Sequence, residues 1–390
     1  MDFDEVIERR NTHSSKWDET EERYGVSKDD GLPMWVADMD FRPPVNIQKA
    51  LEKSLQHGIY GYYGDFEEYK TSIRWWMKNR HSWDIGNSTI FTTNGLVNGM
   101  ALCVDTFTES NDEIIMFTPM YYTFFRVLNA TDRVVREFPL NLDGDRYTLD
   151  FSEYKKQLTG KEKMLIFCSP HNPGGRVWSK SELKQVASFC IENNLILVCD
   201  EVHHDLIMPG NTHSVMAVAA PEVNDRLIML TANTKTFNIA GAHTGNVIIN
   251  NPELVAKFEI RMAALGISPN SFGIHMATAG YSPENAKWLD DLMIYIRSNM
   301  DIFNKGVNKI PGCKAMSIEG TYLAWVDFSG TGMSKAEVKD RIEKEAKITS
   351  NYGSDMGKGG ETFLRFNIAT PRSRVIEAVK RMQNAFKDLQ

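Results

Sequence analysis

Between about Ser88 and Asn250, short runs of β-branched and aliphatic residues alternate with segments of helical period. The runs read TIFTT, EIIMFTP, VVREFPL, KMLIFCSP, LILVCDE, RLIMLTAN and GNVIIN. A strand with one wet face alternates apolar and polar residues. Stretches such as MLIFC and LILVC are apolar at every position, which predicts strands covered on both faces by helices. The alternation therefore predicts βαβ units and a mostly parallel seven-stranded sheet, an α/β fold. After about Pro283 the pattern changes. Long helical patterns (AKWLDDLMIYIRSNMDIFNKGV, SKAEVKDRIEKEAK, VIEAVKRMQNAFKDL) flank two strand-like stretches, TYLAWVDF and FLRFNIA, which predicts a separate α+β unit. The first 45 or so residues have little periodicity but contain GLPMWVADMDFRPP, a Pro-punctuated apolar segment expected to be an arm joining the small domain or a partner subunit. The expected division is an N-terminal arm at 1–45, a large domain at 46–283 and a small C-terminal domain at 284–390.

A chain of 390 residues is long enough for these units, each with a substantial core. Its 44 Lys and Arg are interspersed with 51 Asp and Glu, a net charge of -7, so there is no basic stripe for a nucleic acid backbone. No apolar run approaches the roughly 20 residues that span a bilayer, and the amino terminus, MDFDEVIERR, is charged where a secretory signal is apolar. The expectation is a cytoplasmic protein with no nucleic acid or membrane partner. Cys103, Cys168, Cys190, Cys199 and Cys313 are odd in number, widely spaced and without a CxxC pair. They are expected to be reduced core residues rather than a disulfide framework or a zinc site.

Polar residues collect at the carboxyl ends of the predicted strands, where open α/β sheets place their ligand sites. In TTNGLVNGMALCV a strand ends at Thr93, Asn94 and Gly95 turn, and a helix begins near Leu96. Free amides at a helix start favour an anion, although the segment matches neither GxGxxG nor a P-loop and by itself reads more readily as an ordinary turn. In CSPHNPGGRVW the Pro-Gly-Gly turn after Asn172 can hold its amide toward a ligand oxygen, or be plain loop chemistry. In VCDEVHHDL, Asp200 and Glu201 follow an almost wholly apolar strand, where a carboxylate needs a cationic partner or the amides of a helix start. The adjacent His203 and His204 point in different directions and no second His follows at helical ligand spacing, so no metal is expected. In MLTANTKTFNIAGAHTG, Lys235 ends a strand beside Phe237 and Ile239; burial there lowers an amine's pKa, while a solvated surface lysine is the ordinary alternative. In FLRFNIATPR, Arg365 lies mid-strand and suits either a bidentate grip on a carboxylate or a structural ion pair.

Taken in order, these motifs resemble the fold-type I pyridoxal phosphate enzymes of the aspartate aminotransferase superfamily, and within it the cystathionine β-lyase, or cysteine-sulfur lyase, branch. The resemblance covers nearly the whole chain: LPMWVADMDF, YGYYG, TPMYYTFF, SPHNPGGRVW, CDEVHHDL, KTFNIAG, EGTYLAWVDF and FLRFNIATPR. It implies that Lys235 carries pyridoxal 5'-phosphate covalently, that Asp200 pairs with the pyridine nitrogen, and that Asn172 bonds the phenolic oxygen. It implies also that Tyr121 stacks on the ring, Gly95, Leu96 and Val97 hold the phosphate with Thr234, and His203 stands where many aminotransferases have Tyr. Tyr62 matches a tyrosine that reaches the phosphate of a second subunit, so a homodimer is implied. Arg365 matches the clamp for the substrate α-carboxylate, beside Asn172 and Tyr122. The chain departs from distant relatives at Ala232 and His243, where they use Ser and Arg for the phosphate. It also reads GLVNG and ANTKTFN where the branch commonly has GVVPA and APSKTFN. The anion grip then rests more on the backbone loop and Thr234.

The implied reaction is α,β-elimination from a sulfur-containing L-amino acid such as cystathionine or cysteine, giving a thiol, pyruvate and ammonia. Lys235 would be the base at Cα, with Tyr121 or Tyr122 assisting proton transfer. The same residues suit an aminotransferase, and a regulatory protein-binding role on the same fold is a further alternative.

Overall fold

The computed structural model describes residues 2–389. Its centre is a seven-stranded sheet formed by β1 (Thr89–Thr93), β2 (Glu113–Thr118), β3 (Val134–Pro139), β4 (Glu162–Cys168), β5 (Ile196–Asp200), β6 (Leu227–Thr231) and β7 (Gly245–Ile249), in the order β1-β7-β6-β5-β4-β2-β3. Each coincides with one of the seven apolar runs. β2 through β6 pair in parallel, whereas β7 is antiparallel to both its neighbours, β1 and β6. β1 therefore runs the same way as β6. Every residue of β6 and β7 is buried, as continuous apolar runs covered on both faces require.

The C-terminal region carries a four-stranded antiparallel sheet that includes Leu323–Asp327 and Phe363–Asn367. The helix Ala286–Val307 packs with Arg372–Ala385. It buries Leu289, Leu292, Met293, Ile296, Met300, Phe303 and Val307, one stripe at helical spacing. The pattern SKAEVKDRIEKEAK predicts one helix; the structure gives a capped α-helix over Lys335–Asp340 that widens into a π-type turn over Arg341–Glu345. The Ser334–Glu337 capping box fixes its start.

Residues 2–45 cross to this C-terminal region. Leu32–Pro33 pairs in parallel with Ile348–Thr349, and the Asn367 amide donates to the Met34 carbonyl at 2.7 Å. The segment is anchored by Asp40, which is 1% exposed and receives Lys16 at 3.1 Å, Arg9 at 2.8 Å, Arg374 at 3.3 Å and the Trp17 indole at 2.9 Å. Three cations hold its carboxyl well below the usual range despite burial. All five cysteines are buried and unpaired. Among the described residues no helix is long and apolar enough to cross a membrane.

Candidate active site

Because β1, β2, β4, β5 and β6 run in one direction, the loops after them meet along one edge of the sheet. Asp200 ends β5 and is 6% exposed. Its carboxylate accepts the Val202 amide at 3.1 Å and, among the described residues, forms no ion pair with a cationic side chain. Burial pushes its pKa up to about 6, the Val202 hydrogen bond pulls it back, and Glu201 adds repulsion. Lys235 and His204 attract this acid, but among the described residues neither comes close enough to form an ion pair with it.

Beyond β6 come the buried Thr234 and the partly buried Lys235. The Lys235 ammonium donates to the Ala37 carbonyl at 2.7 Å, and the Tyr322 hydroxyl donates to the same oxygen at 2.9 Å. Desolvation lowers the Lys235 pKa to about 8; Asp38 and Asp200 oppose the shift and Arg365 reinforces it. A usable fraction of free amine is thus present near neutral pH.

Arg365 projects from the C-terminal sheet and is 2% exposed. It donates to Asn172 Oδ1 at 2.8 Å, to the Trp35 carbonyl at 3.3 Å and to Asn351 Oδ1. Its Nε is buried without a partner. Accepting from Arg365 through Oδ1 leaves the Asn172 amide nitrogen to face another oxygen. The Arg365 guanidinium sits 5.9 Å from the centre of the Tyr121 ring, which packs 5.0 Å from Tyr122. His203 is buried near Tyr322, 6.1 Å between ring centres, and its Nδ1 has no partner. Burial, with Lys235 and Arg365 repelling a positive charge, holds this imidazole neutral.

Gly95 precedes the helix Leu96–Phe107 with φ +88°, a conformation that favours glycine. A Cβ on Gly245 would lie 2.8 Å from the Gly95 carbonyl carbon and the Leu96 nitrogen, so a second glycine lets the loop pack tightly there. The first amides of this helix, from Leu96 and Val97, have no preceding turn to bond. His243 flanks Gly95, its Nδ1 3.9 Å from where a Cβ would stand.

The structure thus brings Lys235, Asp200, Asn172, Arg365, Tyr121, Tyr122 and His203 into one site, with Thr234 beside Lys235 and the Gly95–Val97 helix start at the same sheet edge. Tyr62 is the exception: it is fully exposed and makes no contact with these groups. Sequence reasoning missed the Ala37 carbonyl, Tyr322, Trp35 and Asn351. Ala37, Tyr322 and Trp35 lie inside motifs singled out above, but a backbone carbonyl has no sequence signal, and a tyrosine in a buried strand reads as core.

The family described as aminotransferase class I and II matches residues 32–382. The chain is 36% identical to cystathionine beta-lyase PatB of Bacillus subtilis (strain 168), across 99% of this chain and 100% of that protein. It is 27% identical to protein MalY of Escherichia coli (strain K12), across 99% of each. Among solved structures it is similar to cystalysin from Treponema denticola, which contains a pyridoxal 5'-phosphate cofactor, with TM-score 0.94 and 38% identity over 100% of this chain and 99% of that one. The PLP-bound C-S lyase from Staphylococcus hominis matches with TM-score 0.91 and 28% identity, over 99% and 98% of the two chains.

Proposed function

The chain belongs to the aminotransferase class I and II family, and from that premise we propose that it is a pyridoxal 5'-phosphate-dependent carbon-sulfur β-lyase. It cleaves L-cystathionine, L-cysteine or related S-substituted cysteines to a thiol, pyruvate and ammonia. The observation that carries the reading is the meeting of three unlike groups in one site: a desolvated amine at Lys235, a buried carboxylate without an ion pair at Asp200, and a buried guanidinium at Arg365. A relative named cystathionine beta-lyase and solved structures named cystalysin and C-S lyase cover nearly the whole chain.

The donor set fits this cofactor. Asp200 would take the protonated pyridine nitrogen as its cation, which explains an otherwise costly buried acid. The Asn172 amide nitrogen would donate to the phenolic oxygen and Tyr121 would cover one ring face. The Leu96 and Val97 amides would hold the phosphate with the Thr234 hydroxyl. His203, held neutral, lines the same site without adding charge. When bound, the cofactor supplies an aldehyde that captures amino groups and a ring that takes up the electron pair released at the substrate Cα.

Arg365 grips the substrate carboxylate with two parallel hydrogen bonds, and Asn172 and Asn351 fix the plane of its guanidinium. Lys235 is the residue that would hold the cofactor, and its Nζ is placed to take the substrate Cα proton as general base. A pKa near 8 makes the free amine available for that transfer. Tyr121 or Tyr122 delivers a proton to the departing sulfur. In this reading residues 1–45 form an arm on the small domain at 284–390, and 46–283 form the cofactor-binding domain.

Incubating the purified, cofactor-loaded protein with L-cystathionine in the absence of any keto acid is expected to release pyruvate and free thiol in equal amounts. No pyruvate, with amino transfer only when a keto acid is added, would instead make it an aminotransferase. Negligible turnover of any amino acid, with a stoichiometric protein partner in a pull-down, would favour the regulatory role.

Tyr62 is exposed beside Ile59 and Tyr60, which are 73% and 58% exposed. We read this apolar stretch as the face that meets a second copy, with Tyr62 reaching that copy's phosphate site. Sedimentation of the loaded protein should give a dimer; a fully active monomer would remove Tyr62 from the site.

A further inference from the structure

The arm segment 34–39 crosses the site with every carbonyl accepting a hydrogen bond from a distant part of the chain. The Asn367 amide donates to Met34 at 2.7 Å and Arg365 to Trp35 at 3.3 Å. The Asn367 side chain donates to Val36 at 2.6 Å and also to Asp38, and the Asn238 side chain donates to Met39 at 2.9 Å. On Ala37 the donors are Lys235 Nζ at 2.7 Å and the Tyr322 hydroxyl at 2.9 Å. Of the donors to this segment, Lys235 is the one that the proposed reaction requires to leave.

Tyr322 is wholly buried, and the backbone around it is fixed. The Glu319 and Gly320 amides both donate to the Gly175 carbonyl at 2.9 Å, the Thr321 amide donates to Leu206 at 2.6 Å, and the Ile368 amide donates to the Tyr322 carbonyl at 3.0 Å. Thr321 is buried at φ +72°, a left-handed conformation that a β-branched residue takes only under constraint. Such strain gathers at functional sites, where surrounding contacts hold it in place. Here it stands one residue from the phenol that shares an acceptor with Lys235.

We propose that Tyr322 is a positioning residue for Lys235: its hydroxyl shares the Ala37 carbonyl, so that the amine is held there loosely enough to leave. This rests on the reading of Lys235 as the amine that captures the cofactor and takes the Cα proton. Two donors on one oxygen bring their positive hydrogens together, so the phenol weakens the carbonyl's hold on the ammonium. When Nζ departs, the hydroxyl remains and the buried carbonyl keeps a donor. Both effects ease the movement of Nζ away from Ala37. Tyr322 thus acts through Lys235 and not on the reacting atoms.

The charged groups around the amine come from three directions: Asp38 from the arm, Asp200 from β5 and Arg365 from the C-terminal sheet, with neutral His203 beside them. Burial, with Asp38 and Tyr121 nearby, raises the Tyr322 phenol well above its ordinary value against the pull of Arg365. The phenol therefore stays a neutral donor, and its effect on Lys235 is that of a hydrogen bond rather than of a charge.

The test begins with the full chain free of cofactor. Trace labelling of Lys235 by fluorodinitrobenzene across pH, read from the mass of its peptide, gives the midpoint at which the amine becomes free, about 8 in the unaltered protein. In Tyr322→Phe the midpoint should rise by at least about half a pH unit, the lower end of what one hydrogen bond supplies. Replacing Tyr322 by 3-fluorotyrosine keeps the hydroxyl, makes it a stronger donor and should lower the midpoint. That second variant keeps the shape of the phenol, so the sign is readable even where loss of the hydroxyl loosens the fold. When pyridoxal 5'-phosphate is then added at pH 7, the rate at which borohydride can fix it to the chain should fall at least about threefold in Tyr322→Phe, in step with the smaller fraction of free amine. A midpoint that stays in place in both variants, or moves the same way in both, would overturn the proposal and leave Tyr322 a core tyrosine. Unaltered protein that captures no cofactor would overturn the reading of Lys235, and the proposal with it.

Discussion

Replacing Lys235 with alanine is expected to lower pyruvate release from cystathionine by at least about 10³-fold, within the range a lost general base produces. The loss should be larger than from any neighbouring residue, because one amine is given two tasks: carrying the cofactor and accepting the Cα proton. The amine suits both. Burial lowers its pKa to about 8, while Asp38 and Asp200 keep it from falling further. In the variant, borohydride should no longer fix the cofactor covalently to the chain, even if cofactor remains bound through the helix start at Leu96. The two readouts are pyruvate production and the mass of the denatured, borohydride-treated chain. A variant that keeps a tenth of the activity, or that borohydride still couples covalently to the cofactor, would refute the role of Lys235.

Replacing Asp200 with asparagine should move activity and stability in opposite directions. Activity falls by at least about 10²-fold, the scale for removing one well-placed electrostatic partner, because an amide cannot hold the proton on the ring nitrogen. The cofactor-free protein, by contrast, becomes more stable near pH 7. Burial raises the Asp200 pKa from 3.8 to about 6, so the folded chain binds this proton more tightly than the unfolded one. Stability therefore falls as pH rises from about 4 to about 6, and the deficit stays constant above that window. A shift of about two units corresponds to about 3 kcal/mol, which the amide removes. Urea unfolding of the two cofactor-free proteins at pH 7 and again near pH 4 measures this. The gap should be present at pH 7 and close toward pH 4; equal stabilities at pH 7 would show that the acid is not penalised. Such an acid is retained at a cost in stability because its partner arrives with the cofactor.

The central strands were legible because they are unbroken apolar runs, and only burial on both faces accounts for LILVC or MLIFC. The candidate residues were legible for a related reason: Asp200, Asn172, Lys235 and Gly95 each follow such a run, where chain direction puts them on one edge. Arg365 stood out as a charge amid apolar neighbours. The long pattern from Ser334 was over-read as one helix. Its spacing is helical throughout, but the turn over Arg341–Glu345 widens where Ile342 and Glu343 are buried and packed against the last helix. The arm's short helices, Ser15–Asp18 and Thr20–Tyr24, were not legible either, since they are too short for periodicity to register.

By itself, then, the sequence determined the α/β class, the seven core strands, and which side chains stand at their carboxyl ends, because burial and chain direction are local properties of each run. Only the tertiary structure decided what depends on distant segments meeting. The Ala37 carbonyl receives Lys235 from almost two hundred residues away, Arg365 reaches Asn172 across a comparable span, and Tyr322 joins Lys235 on that carbonyl from the C-terminal region. Those contacts are set by how the arm, sheet and C-terminal region pack together, and hydrophobic packing has no memory of position along the chain.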